Sequence, residues 1–324
     1  MSTQIMNAAE IKQNNLTGRG RQLGNVLKQI KKHKALYILF LPVLAYYVLV
    51  RYWPIVLSWV VAFKDLKMGA GVFNSKWVGL ENFRIIFSDP DILKVIQNTL
   101  EISLLRLLIG FLPPILLAIM FHDMLFARFK QWCQTIMYIP HFFSWVIIYG
   151  IVFAFFSTGT GFVNNLLQVM GFDKVEFLMS SQWFRPLLIG SSLWKELGWG
   201  TIIYMAAMTS IDKEQFEAAK IDGAGPIKRI IHITFPSILP VISFVLCINL
   251  GFIMYAGGEQ ILMFYNSSVY DVADVIDTWV YRVGLGSMRF GVGTAVGLFQ
   301  SFIGMLLVLV SNYFTKKYTG NGIW

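Results

Sequence analysis

Residues 212–240 read DKEQFEAAKIDGAGPIKRIIHITFPSILP. This polar segment decides how the chain is divided, because it separates two long apolar stretches. Asp212 is placed to cap the start of a helix, and Gly223 and Gly225 are typical of a helix end. Pro226 suits the first turn of a second helix. The segment therefore predicts two short helices joined by a tight turn, neither of them long enough to span a membrane.

The rest of the chain is dominated by apolar residues, with 56% hydrophobic and only 14% charged residues among 324. A spanning helix needs about 20 mainly apolar residues, and six stretches qualify: 35–63, 99–121, 131–156, 186–211, 233–257 and 290–314. We therefore predict an all-α membrane protein with six transmembrane helices. Its parts are a basic N-terminal segment (1–34), a six-span domain (35–314, with a loop at 212–232) and a tail (315–324).

Lys and Arg residues are distributed unevenly between the two predicted sides of the membrane. Of the 27 basic residues, 15 lie in the segments 1–34, 122–130, 212–232 and 315–324, whereas the other connecting loops hold nine basic and ten acidic residues. Because cytoplasmic loops carry the excess of Lys and Arg, we expect both termini and the 212–232 loop in the cytoplasm. The basic leader lacks the interleaved aromatic residues of a nucleic-acid binder, which favours lipid headgroups as its partner.

Residue types that carry catalysis or bind metals are sparse. The two cysteines, Cys133 and Cys247, lie inside apolar stretches, and the four histidines are scattered singly. This pattern predicts neither a disulfide framework nor a metal site. No constellation of His with Asp, Glu or Ser falls on a predicted loop, so we expect no catalytic residue in this chain and no soluble enzyme.

The segment 212–240 also carries a recognisable motif: Glu217, Ala218, Ala219, Asp222, Gly223 and Ala224, followed by Pro236 and Pro240. This run closely resembles the EAA loop of ATP-binding cassette (ABC) importer permeases. The sequence departs from the usual pattern at Ile230 and Phe235, where that family commonly has an aromatic residue and leucine. In the family this loop forms the coupling helix that sits in a cleft of the cytoplasmic ATPase, so the resemblance implies a coupling role for these eight residues.

Three further segments are similar to one branch of this family. WVGLENF (77–83) resembles a signature of carbohydrate permeases, and PHFFSWV (140–146) with GNGIW (320–324) resembles the subgroup that imports oligosaccharides from complex polysaccharides such as alginate. The resemblance implies a type I ABC importer permease fold in the bacterial cytoplasmic (inner) membrane. It also implies a second permease subunit in a heterodimer, two ATP-binding subunits and an extracytoplasmic sugar-binding protein.

The printed sequence has no phosphate-binding GxxxxGK[ST] motif, so ATP and Mg²⁺ are expected on the partner ATPase subunits and no cofactor on this chain. The function implied is import of an oligosaccharide. One alternative is an ABC permease for a peptide or an amino acid. A secondary transporter with intramembrane charges coupled to ions is another, but such proteins usually contain inverted repeats, and none is apparent.

Sugar sites combine aromatic and polar groups in a mostly apolar cavity. The tentative substrate-path residues are therefore the aromatic, amide and charged residues of the fourth and fifth predicted spans: Trp194, Lys195, Glu196, Trp199, Tyr204, Asn249 and Tyr255. Trp and Tyr also collect at bilayer interfaces, which is the alternative for each aromatic residue. A cation at Lys195 would suit a uronic acid, although a structural pair between Lys195 and Glu196 is equally consistent with the sequence.

Overall fold

The computed structural model describes residues 32–67, 69–320 and 322. Most of these residues are helical, in the order α1 Lys34–Tyr46, α2 Trp53–Ala62, α3 Gly71–Asn74, α4 Glu81–Ser88, α5 Pro90–Asp123, α6 Ala127–Tyr138, α7 Trp145–Phe156, α8 Phe162–Val169, α9 Ser181–Thr209, α10 Lys213–Ile221, α11 Pro226–Arg229, α12 Phe235–Gly251, α13 Gly258–Phe264, α14 Tyr270–Ala273, α15 Ile276–Trp279 and α16 Phe290–Thr319. Short strands β1 (Lys64–Asp65) and β2 (Lys76–Trp77) form an antiparallel pair, with Lys64 opposite Trp77.

The described residues contain four continuous helical stretches that are long and apolar enough to cross a membrane: Lys34–Ala62, Pro90–Asp123, Pro226–Gly251 and Phe290–Lys317. A bent pair of helices would make a fifth span. Helix α9 has 29 residues, but it carries Arg185, Lys195 and Glu196 and is less apolar. A mostly helical protein with several apolar stretches of membrane-spanning length is therefore confirmed, whereas six spans stay a prediction.

Prolines account for two places where the helical hydrogen-bond pattern widens. The described residues divide into two compact units between Val60 and Val61, and each unit contains such a place. In the first, the π-helical turn Tyr47–Tyr52 ends two residues before Pro54; in the second, the π-helical turn Ile230–Thr234 ends two residues before Pro236. Proline has no N–H to donate, so the helix continues through a π-helical turn instead of ending.

Helix α5 is the central element of residues 61–324, because it contributes to all three apolar clusters of this unit. Ile92 packs with α15 and α16, Ile102 packs with α9 and α13, and Ile115 packs with α9 and α12. Apolar residues near helical spacing in segment 270–284 of the sequence predict a short helix lying along an outer surface. That prediction is wrong in part, since Ile276 and Trp279 are buried in the core.

The third predicted span, residues 131–156, is not one continuous helix. Helices α6 and α7 meet at 104° across a break that contains a 3₁₀ turn (Ile139–Phe142) and extended backbone at Phe143 and Ser144. The ammonium of Lys195, from α9, donates hydrogen bonds to the main-chain carbonyls of His141 and Phe143. The bend is thus stabilised by a buried side chain distant in sequence, a contact that apolar length alone does not indicate.

Candidate functional site: an exposed helix pair and a polar cavity

Residues 212–229 form the two short helices that the sequence predicted. Asp212 caps α10, because its carboxylate accepts a hydrogen bond from the backbone N–H of Glu214 at 3.0 Å. Helix α10 ends at Ile221, and Gly223 then adopts a φ of +73°, a conformation that costs a side-chain-bearing residue free energy. Pro226 is the first residue of α11. The turn therefore depends on Gly223, while Gly225 has an ordinary extended backbone.

The family-like residues of this helix pair lie mainly on its exposed surface. Glu217, Ala218, Asp222 and Gly223 are exposed, Ala219 and Ala224 are half-buried, and Pro236 and Pro240 are exposed at the start of α12. Two apolar side chains extend the same surface, with Ile221 87% and Ile227 72% exposed. Exposed apolar groups beside a carboxylate are typical of an interaction surface, and this surface is available to a partner.

Helix α10 is positioned by a contact between the aromatic rings of Phe216 and His122. The half-buried ring of Phe216 lies with its centroid 5.8 Å from that of His122, at the end of α5. The imidazole Nδ1 of His122 is in turn 3.1 Å from a carboxylate oxygen of Asp123. The exposed helix pair is thus joined to α5, the same helix that lines the cavity described next.

A cavity of about 260 Å³ lies between α5, α9 and the end of α12. Its polar lining comes from Ser103, Arg106, Ser192, Glu196, Asn249 and Tyr255, and its apolar lining includes Phe111, Leu193 and Phe252. Arg106 and Glu196 each stand near the midpoint of a long helix. The cavity therefore lies near the middle of both helices. Charged side chains at such a depth in a membrane are costly and are usually functional.

The carboxylate of Glu196 is compensated by its neighbours. His141 Nδ1 lies 2.9 Å from one of its oxygens, and Lys195 Nζ lies 3.9 Å from the other. Lys195 is itself buried and lies 5.5 Å from the centroid of the Trp145 ring. These contacts make Lys195 part of the packing around the bend instead of part of the cavity wall.

Arg106 is fixed by a neutral partner. One terminal nitrogen of its guanidinium donates a 2.6 Å hydrogen bond to the side-chain oxygen of Gln260, whose amide nitrogen donates to Leu188 O at 2.8 Å and Ser191 Oγ at 3.0 Å. Gly257, with a φ of +80°, makes room for the guanidinium, because a Cβ there would lie 2.1 Å from the other terminal nitrogen. Arg106 Nε is buried and has no hydrogen-bond partner among the described residues.

The substrate-path residues predicted from the sequence are not all at the cavity. Glu196, Asn249 and Tyr255 line it. Trp194 is exposed, Trp199 stacks on His141 with ring centroids 4.3 Å apart, and Tyr204 is buried in an apolar cluster. Arg106 lies inside the apolar stretch 99–121 but is not among the predicted path residues, and Gln260 was missed because it follows the fifth predicted span.

Beyond the spans, a polar network fastens residues 271–282 to α5. The Asn98 amide donates to the carbonyls of Asp271 and Asp274 at 3.0 and 3.1 Å, and Arg282 pairs with the Asp274 carboxylate. Burial raises the pKa of Asp274, although the Thr278 hydroxyl and Arg282 oppose this shift. Burial likewise raises the pKa of Asp277, against hydrogen bonds from Gln300 and the backbone of Gly258.

Comparison with known proteins places this geometry among transport proteins. A family model described as binding-protein-dependent transport system inner membrane component matches residues 110–319. Protein LplB of Bacillus subtilis (strain 168) is 39% identical over 297 residues, which cover 91% of this chain and 92% of LplB. The polygalacturonan/rhamnogalacturonan transport system permease protein YteP of the same strain is 39% identical over 301 residues, covering 92% and 93% of the two chains.

A solved structure is also similar over nearly the whole chain. A chain of the crystal structure of a bacterial alginate ABC transporter, in complex with alginate pentasaccharide-bound periplasmic protein, superposes with a TM-score of 0.84. The two chains are 37% identical, and the match covers 91% of this chain and 99% of the other. The overall fold therefore has a counterpart of known architecture.

Proposed function

Because the chain belongs to the family of binding-protein-dependent transport system inner membrane components, we propose that it moves an oligosaccharide across the bacterial inner membrane through the cavity between α5, α9 and α12. It is a multi-pass membrane permease subunit of an ABC importer and not an enzyme. The observation that carries the substrate proposal is the mid-span cavity, which combines polar and aromatic side chains.

The chemistry of the cavity suits a sugar. Asn249 and Glu196 supply hydrogen-bonding groups for hydroxyls, and Tyr255, Phe111 and Phe252 supply aromatic surface. Such a mixture of a few polar groups in an apolar wall is how small-molecule sites fix orientation. The names of YteP and of the alginate transporter, both of which refer to sugar polymers, support the same class. Peptide or amino-acid import is the alternative outcome of the test below.

The proposal includes the partners of the complex. A second permease subunit would complete the path, two ATP-binding subunits would use ATP and Mg²⁺, and an extracytoplasmic binding protein would deliver the sugar. The alginate transporter, which was crystallised with its periplasmic protein, supports the last of these. Both termini would be cytoplasmic and six helices would cross the membrane, with α9 and the bent pair α6–α7 as the two spans that apolar length alone does not establish.

The helix pair α10–α11 would couple ATP hydrolysis to alternating access. Glu217 and Asp222 would contact basic groups of the ATPase, and Ile221 with Ile227 would contact an apolar part of its cleft. Movement of this pair would reach the cavity through Phe216, His122 and α5. Closure of the ATPase dimer would then open the cavity to the outside and allow the binding protein to release its sugar.

The test is reconstitution of the complete complex in liposomes, with the binding protein on the outside and ATP inside. We expect accumulation of an oligosaccharide that depends on both ATP and the binding protein. Uptake of peptides or amino acids but not of sugars would overturn the substrate class. Uptake driven by a proton gradient without ATP would contradict the coupling.

A further inference from the structure

We infer that three residues outside the cavity lining position the carboxylate of Glu196 for hydrogen bonding to the transported sugar. They are Lys195, His141 and Trp199. This inference rests on the proposed function and deepens it, because it gives residues behind the cavity wall a part in sugar recognition. It starts from residues 195–199 of α9, which contact the bend between α6 and α7 and also reach the cavity.

Lys195 holds the backbone at the bend between α6 and α7. Its ammonium donates hydrogen bonds to the carbonyl of His141, in the 3₁₀ turn, and to that of Phe143, in the extended stretch that follows. A helix break leaves main-chain carbonyls without intrahelical partners, and one buried cation supplies hydrogen bonds to these two. The same side chain therefore fixes where the chain turns and the point from which the His141 side chain leaves the backbone.

Close packing of α9 against α6 brings the two sides of this contact together. A Cβ at Gly198 would lie 2.1 Å from the main-chain oxygen of Met137, in the last turn of α6, so glycine is needed for this approach. Glu196 and Trp199 are three residues apart on α9 and therefore share one of its faces. The imidazole of His141 contacts both of them.

These two contacts fix the orientation of the His141 imidazole. Its ring is parallel to that of Trp199, with an interplanar angle of 1° and centroids 4.3 Å apart. Its Nδ1 lies 2.9 Å from Oε2 of Glu196, and it is the donor, since a carboxylate only accepts. Trp199 thus sets the plane of the imidazole, and the imidazole sets the direction of the carboxylate.

The second carboxylate oxygen of Glu196 is left for the sugar. Oε1 is 3.9 Å from Lys195 Nζ, too far for a hydrogen bond, and within the described part of the chain it accepts none. Arg106, whose guanidinium this charge also attracts, donates to Gln260 instead. The Glu196 side chain is 46% exposed and lines the cavity. A carboxylate oxygen held in place accepts charge-assisted hydrogen bonds from hydroxyls at a reduced ordering cost.

The sugar affinity of the purified complex, with both permease subunits and the ATPases but without the binding protein, tests this inference. The probes are trigalacturonate, arabinotriose and maltotriose, which differ in charge and ring size, and variants are compared on the trisaccharide that wild type binds most tightly. We expect Glu196→Ala to lower this affinity about ten-fold or more. Lys195→Met, His141→Phe and Trp199→Leu should lower it too, but in the Glu196→Ala background each should change it less than about two-fold.

His141→Gln should keep most of the affinity, because its amide can still donate to Glu196. Lys94→Met is the matched control and should leave the affinity unchanged, since Lys94 is exposed near the start of α5 and does not line the cavity.

Equal losses of affinity with and without the Glu196 carboxylate would assign Lys195 and His141 a purely structural role and overturn the inference. Unchanged affinity in His141→Phe would overturn it as well, even if Lys195→Met fails to assemble. Failure of the proposed function is distinct, since it would appear as no ATP-driven sugar uptake by wild type with its binding protein.

Discussion

The guanidinium of Arg106 donates a 2.6 Å hydrogen bond to the side-chain oxygen of Gln260, and this contact joins the middle of α5 to the short helix α13. The two residues are 154 positions apart in the sequence. Gln260 also donates to Leu188 and Ser191, so one buried amide connects α5, α9 and α13 around the cavity. Gln260 therefore joins the helices at the wall of the cavity, although no local sequence pattern predicts this role.

Replacing Gln260 by leucine should destabilise the protein. The substitution leaves the carbonyl of Leu188, the hydroxyl of Ser191 and the guanidinium of Arg106 without this partner, and a buried unsatisfied group costs about 1–3 kcal/mol. Thermal unfolding of the detergent-solubilised complex measures the effect. Glu259→Leu, at the exposed neighbouring position, is the control. An unchanged Tm in Gln260→Leu would mean that this hydrogen-bond network contributes no stability.

Gly257→Ala should lower the free energy of unfolding by more than backbone strain alone would. Gly171 and Gly257 have similar φ angles, +87° and +80°, but a Cβ at Gly171 meets nothing within 4 Å whereas one at Gly257 would lie 2.1 Å from Arg106. We expect about 1–2 kcal/mol for Gly171→Ala, the usual penalty of a left-handed conformation, and a larger loss for Gly257→Ala. Comparing the loss of Tm in the two variants separates the cost of the left-handed backbone from the cost of the clash with Arg106. An equal loss of Tm in both would argue against a contact between position 257 and Arg106.

Substitution at the turn between α10 and α11 should uncouple the transporter. Gly223 has a φ of +73° and open space around it, so Gly223→Ala strains the turn without a clash, while Gly223→Asn is better tolerated because Asn adopts this conformation more readily. We expect binding-protein-stimulated ATP hydrolysis to fall about ten-fold or more in Glu217→Ala and Gly223→Asp, and less in Gly223→Asn.

Membrane insertion should be unaffected in these variants, since the residues are exposed. Gln215→Ala, also exposed on α10, should retain stimulation and is the matched control. A fully coupled Gly223→Asp protein would contradict the assignment of this helix pair to ATPase coupling.

Asp277→Asn should stabilise the protein at neutral pH. Burial raises the pKa of Asp277, so the folded protein favours the protonated form and the ionised form carries a penalty once the pH exceeds the folded pKa. Asparagine removes that penalty and still accepts the hydrogen bond from the Gly258 backbone. We expect a higher Tm than wild type at pH 7.5, with the difference shrinking as the pH falls toward the ordinary aspartate value of 3.8.

Asp65→Asn is the control. Asp65 is exposed, so this substitution should leave the Tm unchanged at every pH. A lower Tm for Asp277→Asn at pH 7.5 would show that the ionised carboxylate is stabilising and would reverse the sign of the argument.

Local signals predicted the helix pair well because every determinant lies within a few residues. Asp212 caps α10, Gly223 ends it and Pro226 starts α11, and each acts on its own backbone. Long apolar stretches likewise predicted the helices from length and composition. The bend within the third predicted span lay beyond such local signals, because it depends on Lys195, a side chain from another helix.

The sequence by itself determined a mostly helical membrane protein, the family-like motif at Glu217–Ala224 and the presence of charges within apolar stretches. Tertiary structure alone decided which charges are paired. Arg185 with Glu101 and Lys195 with Glu196 are matched by packing, and Arg106 is left on the cavity wall beside a neutral Gln260. Because an interaction between charges depends on distance and burial and not on order along the chain, the spacing of these residues could not show which of them form ion pairs.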